Sequence, residues 1–171
     1  MNKNIGKKKP PKALFPGPGW LMIVYLGLAG CYSFHSGRLP FRTIGVPVAA
    51  NATSDYRLPD LITKSVMTAI TRDGSVKLAE SDKAEGTMSI EIKNYSRDPL
   101  KYSAQEVVSE YRVTITAAVT VKDEQGKTLW EKPSLSTWST YSPDQEEEIT
   151  GIGKAADKLA EEIVRQAFEN W

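Results

Sequence analysis

Cysteine and histidine are nearly missing from this 171-residue chain, which has one of each, Cys31 and His35. A lone cysteine excludes an intrachain disulfide, and one Cys with one His excludes a zinc site built from several such ligands. They also leave a single imidazole for any Ser-His or Cys-His chemistry. Net charge is small, +1, so the overall basic field of a nucleic-acid-binding protein is lacking. No apolar run approaches the roughly 20 residues of a spanning helix; Trp20–Ala29 has ten. A phosphate-cradling glycine loop is missing too. Gly17-Pro18-Gly19 lies in the N-terminal segment, and Gly151-Ile152-Gly153 lacks the following lysine-serine pair, since Lys154 is followed by Ala155.

What is present begins with an address. Lys3, Lys7, Lys8, Lys9 and Lys12 form a positive head with no acid before residue 31. The remainder then sets 17 basic residues against 21 acidic ones, near −4. The head, the apolar run and the small residues that end it follow the order of a signal peptide. Leu28-Ala29-Gly30-Cys31 resembles a bacterial lipobox. Its chemistry explains the residue types: the thiol becomes a thioether to diacylglycerol, and Ala and Gly give a peptidase access to the bond before it. The freed amine of Cys31 takes a further acyl chain, and several chains anchor where one binds marginally. We therefore expect a signal peptide over 1–30, a lipidated anchor segment over 31–41 and one domain over 42–171. Tyr32 follows the cysteine; by resemblance to enterobacterial lipoproteins, the absence of Asp there fits outer-membrane sorting.

The mature chain reads as a small α/β domain. Arg42–Val48 is a strand that Pro47 confines to an edge or ends. Pro59 and Asp60 open a helix lined by Leu61, Ile62, Val66, Ala69 and Ile70, which Gly74 closes. Thr87–Lys93 alternates, with Met88, Ile90 and Ile92 on one face. Glu110–Lys122 alternates more clearly: Tyr111, Val113, Ile115, Ala117, Val119 and Val121 face one way, threonines the other. Asp123–Gly126 is a hairpin turn, and Thr128–Tyr141 returns as the last strand. Ser142-Pro143-Asp144-Gln145 is expected to open a final helix with a capping box. The order β-α-β-β-β-α, with one polar sheet face, predicts a two-layer α/β sandwich: a mixed four-stranded sheet with two helices on one face.

No catalytic constellation emerges. His35 lies four residues from the acylated Cys31, a poor place to hold geometry. Glu146-Glu147-Glu148 complements the dipole of the final helix rather than holding a metal. Two features stand out. The expected loop Asn94–Val108 carries Arg97 and Lys101, which can meet phosphate groups as positive charges. Trp130 and Trp138 share one parity on the last strand, which sets both on the open sheet face unless a bulge at Pro133 sends one or both into the core. With Thr114 and Thr116 they are the candidate partner interface.

At these residues the chain resembles the lipopolysaccharide-assembly lipoprotein family, LptE. The likeness runs from Cys31 and Tyr32-Ser33-Phe34 through the element order, the Glu110-Tyr111 strand start and the end Gln166–Trp171. It is nearest to the Bacteroidetes/Verrucomicrobia-like branch. The resemblance implies a non-enzymatic lipoprotein at the periplasmic face of the outer membrane. It implies that the protein plugs and helps assemble an LptD-type β-barrel and contacts lipopolysaccharide, with Arg97 and Lys101 in the contacting loop. It implies no cofactor beyond the diacylglycerol and N-acyl chain on Cys31, and no nucleic-acid partner. The alternatives are a lipid-anchored adaptor or accessory subunit of another envelope machine, and a lipid carrier with an apolar cavity.

Overall fold

The computed structural model describes residues 39–168. The signal segment, Cys31, His35 and the last three residues lie outside that range. Six strands and two helices follow one another: β1 Thr43–Gly45, β2 Ala50–Asn51, α1 Leu58–Asp73, β3 Lys77–Leu78, β4 Gly86–Tyr102, β5 Val108–Asp123, β6 Thr128–Tyr141 and α2 Glu148–Phe168. The expected two-layer α/β class holds, with both helices on one face of a mixed sheet. The strand count does not: the sheet has six strands, in the order β3-β1-β4-β5-β6, with β2 also on β4.

One extra strand comes from a split and the other from an added edge. The single strand expected over Arg42–Val48 stops at Gly45 and resumes as β2. Ile44 pairs with Gly86, and Ala50 pairs with Glu91 farther along the same parallel neighbour. Pro47, which has no N–H to give the ladder, stands in the interruption. Lys77 and Leu78 then add an outer strand parallel to Thr43 and Ile44.

The core lies between the helices and one sheet face. Val113, Ile115, Ala117, Val119 and Val121 of β5 are buried, as are Met88, Ile90 and Ile92 of β4. Ile62, Val66 and Ile70 of α1 and Ile152, Leu159 and Ile163 of α2 meet them. Burying each of these valine, leucine, isoleucine and methionine side chains contributes about 1.5–3 kcal/mol. The helix α1 ends as expected, with Gly74 at φ 74° and its N–H donated to the Ile70 carbonyl.

The helix α2 begins later than expected. Ser142 does not start it; its carbonyl accepts the N–H groups of Gln145 and Glu146 in a separate turn, and the helix opens at Glu148. Hydroxyls on β6 then stitch it to α2. Ser139 donates to the Gly151 carbonyl at 2.6 Å and Thr137 to the Ala155 carbonyl at 3.0 Å. The buried Ser139 is thereby satisfied, as a buried hydroxyl must be.

The expected loop Asn94–Val108 is mostly strand. β4 and β5 stay paired out to Tyr102 and Val108, leaving only residues 103–107 as a turn. Among the described residues no strand covers the outer edge of β4 beyond β2, and Pro99 stands on that edge strand, where proline is tolerated.

Candidate functional site

Two places concentrate charged and aromatic side chains. The first is the junction where the β4–β5 arm meets the start of both helices. Asn51, Thr53 and Asp55 shape the approach to α1: Asn51 Oδ1 accepts the Thr53 N–H at 3.0 Å and Asn51 Nδ2 donates to the Asp55 carbonyl at 2.9 Å. Asp55 then accepts two hydrogen bonds from the Arg57 guanidinium, at 2.9 and 2.6 Å. Arg57 also reaches Glu148 Oε1 at 2.8 Å. Tyr95 donates its phenol to the same oxygen at 3.0 Å, and Arg97 donates to Glu148 Oε2 at 2.6 Å. Arg97 in addition lies over the Tyr111 ring, 4.7 Å from its centroid, and Tyr111 stacks on Tyr141.

One carboxylate at the head of α2 thus collects three donors from two other elements. Burial, the largest single influence on Glu148, raises its carboxyl; the hydrogen bonds from Arg57, Tyr95 and Arg97 outweigh it and hold the group below its ordinary value. Burial, then the bond to Glu148, pushes the Tyr95 phenol up. The bonds to Asp55 first and Glu148 second hold Arg57 still more firmly charged. These groups lock charge in place; none is poised to exchange a proton near neutrality.

The second place is the sheet face away from the helices. Ser96, Thr114 and Trp138 form one row across β4, β5 and β6, and Asn94, Thr116 and Ser136 form the next. Asp98, Arg112 and Thr140 form a third row nearer the arm. Thr116 donates to the Ser136 hydroxyl at 3.1 Å. Trp138 is 51% exposed in the middle of this polar surface.

Each residue singled out in the sequence has a definite position. Thr114, Thr116 and Trp138 share the open face. Trp130 does not: it pairs with Val121 on the helix side, half-buried against the core. The reason is a bulge, since Leu135 faces Ala117 but Lys132 faces Val119, so Pro133 and Ser134 together oppose Ala118. One extra residue reverses the parity between the two tryptophans. Arg97 and Lys101 are not on a loop. Arg97 pairs in register with Val113 on the helix side, where Glu148 neutralises it, and Lys101 is ion-paired to its ladder neighbour Glu110. The Glu148 junction had only a partial signal, an acid in a helix's first turn; its partner Arg57 is 91 residues away. Among the described residues no group of three or more His, Cys, Asp or Glu is placed to hold a metal. None of the described helices is long and apolar enough to cross a membrane.

The architecture is shared with solved structures of low identity. A protein from Xanthomonas campestris is 13% identical with a TM-score of 0.54, covering 77% of this chain and 86% of its own. A hypothetical protein from Chlamydia trachomatis is 11% identical with a TM-score of 0.53, covering 74% and 95%. A minor lipoprotein from Acinetobacter baumannii is 16% identical with a TM-score of 0.51, covering 77% and 94%. At such identities the likeness is one of fold. No curated protein matches in sequence. The family model of LptE, lipopolysaccharide-assembly, matches residues 41–167, nearly all of the domain described above, and the chain belongs to that family.

Proposed function

We propose that the protein is a non-enzymatic lipoprotein, anchored through acylated Cys31 to the periplasmic face of the outer membrane. Its α/β domain seats in the lumen of an LptD-type β-barrel, helps that barrel assemble and supports passage of lipopolysaccharide. The observation that carries this reading is a family match spanning the domain, on a fold whose uncovered sheet face is polar. A barrel lumen is polar and wet, so rows of Ser, Thr and Asn suit it where an apolar face would not. Trp138, with Thr114 and Thr116 beside it, supplies the large half-exposed aromatic that anchors protein interfaces. The acyl chains hold the domain near its partner and raise its effective concentration there.

The open face is tested by a photoreactive amino acid at Thr116 in living cells. Irradiation is expected to yield one dominant adduct with a large outer-membrane barrel. Absence of any adduct from correctly anchored protein, or a dominant adduct with a soluble periplasmic protein, contradicts this placement.

A further inference from the structure

Among the described residues β6 is an edge of the sheet. Which of its backbone groups turn outward follows from the hairpin. Asp123 donates its N–H across the turn to the Lys127 carbonyl. From there back to Tyr111 the extra residues of the ladder all fall on β6, so β5 keeps its alternation. Every second residue of β5 therefore bonds to β6: Val113 and Ile115 bond to Ser139 and Thr137, and Thr114 turns away. Ser136, Trp138 and Thr140 in consequence direct their N–H and C=O groups outward. Lys158 of α2 marks that direction. Its Nζ reaches around the edge, donates to the Trp138 carbonyl at 3.2 Å and lies 5.2 Å from the Trp138 ring centroid. Leu135–Thr137 on one side and Lys158, Glu161, Glu162 and Arg165 of α2 on the other line a groove of about 430 Å³ along this edge.

An uncovered strand edge is a template for another extended chain, and peptide-binding domains use such edges to add a strand from a partner. The bulge at Pro133 closes part of β6 to this. The stretch from Leu135 to Tyr141 is regular, and Lys158, an exposed side chain, lies over it. Moving that lysine gives up one exposed hydrogen bond, which an incoming N–H restores on the same carbonyl. The charges then select the occupant. Glu161 and Glu162 are already paired with Arg72 and Arg165, whereas Lys158 meets a neutral carbonyl and an aromatic ring. The regular stretch is centred near Thr137, so β6 paired with a second β6 about a twofold axis would bring two Lys158 ammonium groups to one place. A carboxylate at that place gains a charge-assisted bond instead. We infer that the β6 edge from Ser136 to Thr140 binds an extended segment of another protein as an added strand, with an acidic side chain of that segment on Lys158 and an apolar one beside the exposed Trp138 ring. The edge is there whether or not a barrel surrounds the domain.

The test uses the full acylated chain in neutral-detergent micelles and a displayed library of short random peptides. Selection is expected to return peptides in which β-branched or aromatic residues alternate with Asp or Glu. The most enriched peptide is then synthesised. Its binding should shift the backbone amide resonances of Ser136 and Trp138. N-methylation at the peptide residues whose N–H faces β6 should abolish binding, while N-methylation at the residues between them is tolerated. Replacing the peptide's acid by its amide should weaken binding to the wild type about tenfold. The same replacement should cost nothing with Lys158→Gln, because a pairwise term vanishes once either partner is gone. No enrichment over empty micelles, enrichment of basic peptides, binding that survives N-methylation at every position, or an acid whose loss costs as much in Lys158→Gln overturns the assignment. Self-association of the chain that Ser136→Pro abolishes gives the edge to a second copy and overturns it as well.

Discussion

Gly151→Val is expected to destabilise the domain by about 2–3 kcal/mol, while Gly153→Ala, two residues along the same helix, stabilises it by about 1 kcal/mol. Both positions look alike in the sequence, as glycines that weaken the first turns of a helix. The structure separates them. A Cβ on Gly151 would lie 2.7 Å from Cδ1 and 3.1 Å from Cγ of Tyr141, whereas a Cβ on Gly153 meets nothing within 4 Å. Tyr141 cannot yield easily. It is 5% exposed and stacked on Tyr111, whose ring carries the Arg97 guanidinium. The Gly151 carbonyl is itself held by Ser139 at 2.6 Å. A branched side chain there must push α2 off β6 or disturb the base of the hairpin arm. Thermal midpoints of the two variants in the same detergent should move in opposite directions. A shared direction would mean that α2 does not pack on Tyr141 as described.

Glu148→Ala is expected to cost about 2 kcal/mol, the effect of leaving half-buried donors without their acceptor. Three groups lose a partner at once: Arg57, Tyr95 and Arg97. The side chain of Glu148 is 24% exposed, so the loss falls short of that for a fully buried charge. The contribution depends on pH with a definite sign. Because the folded carboxyl lies below its ordinary value of 4.5, the unfolded chain binds the proton first. The stabilisation is full above that ordinary value and is lost as pH falls through the lower folded value. Unfolding curves of wild type and Glu148→Ala should therefore lie apart at pH 7 and draw together in acid. A gap that stays constant into the acid range would remove Glu148 from the junction.

What could be read from the sequence follows from where the chain keeps its period. Glu110–Lys122 alternates without a break, and β5 indeed presents Val113 to Val121 inward at every second residue. The turn at Gly74 was legible because a left-handed cap demands such a residue. The arm was not. Shifts between Ile92 and Asn94 and between Pro99 and Lys101 reset the parity, and with Asp98-Pro99 the stretch reads as a loop. The same physics decides Trp130: the bulge that Pro133 offered in the sequence exchanges the two sheet faces, and residue type did not say which tryptophan it turns inward. The strand at Arg42–Val48 split because β1 and β2 find separate places along one neighbour, a tertiary event.

The candidate site divides along the same line. Thr114, Thr116 and Trp138 fall on one face because no bulge separates Thr114 from Trp138 in the β5–β6 ladder. The Glu148 junction joins residues up to 91 positions apart, and the approach of Lys158 to the Trp138 ring depends on how α2 lies along β6. Spacing carries neither.

The central claim is a stable complex between this lipoprotein and a large outer-membrane barrel. Its most direct test is affinity purification of the acylated protein from gently solubilised outer membranes, with partners quantified by mass spectrometry. We predict a barrel of the LptD type at one copy per lipoprotein. Recovery of the anchored protein with a different dominant partner, or with none, would contradict the barrel-plug account and move the function to an adaptor of another envelope machine.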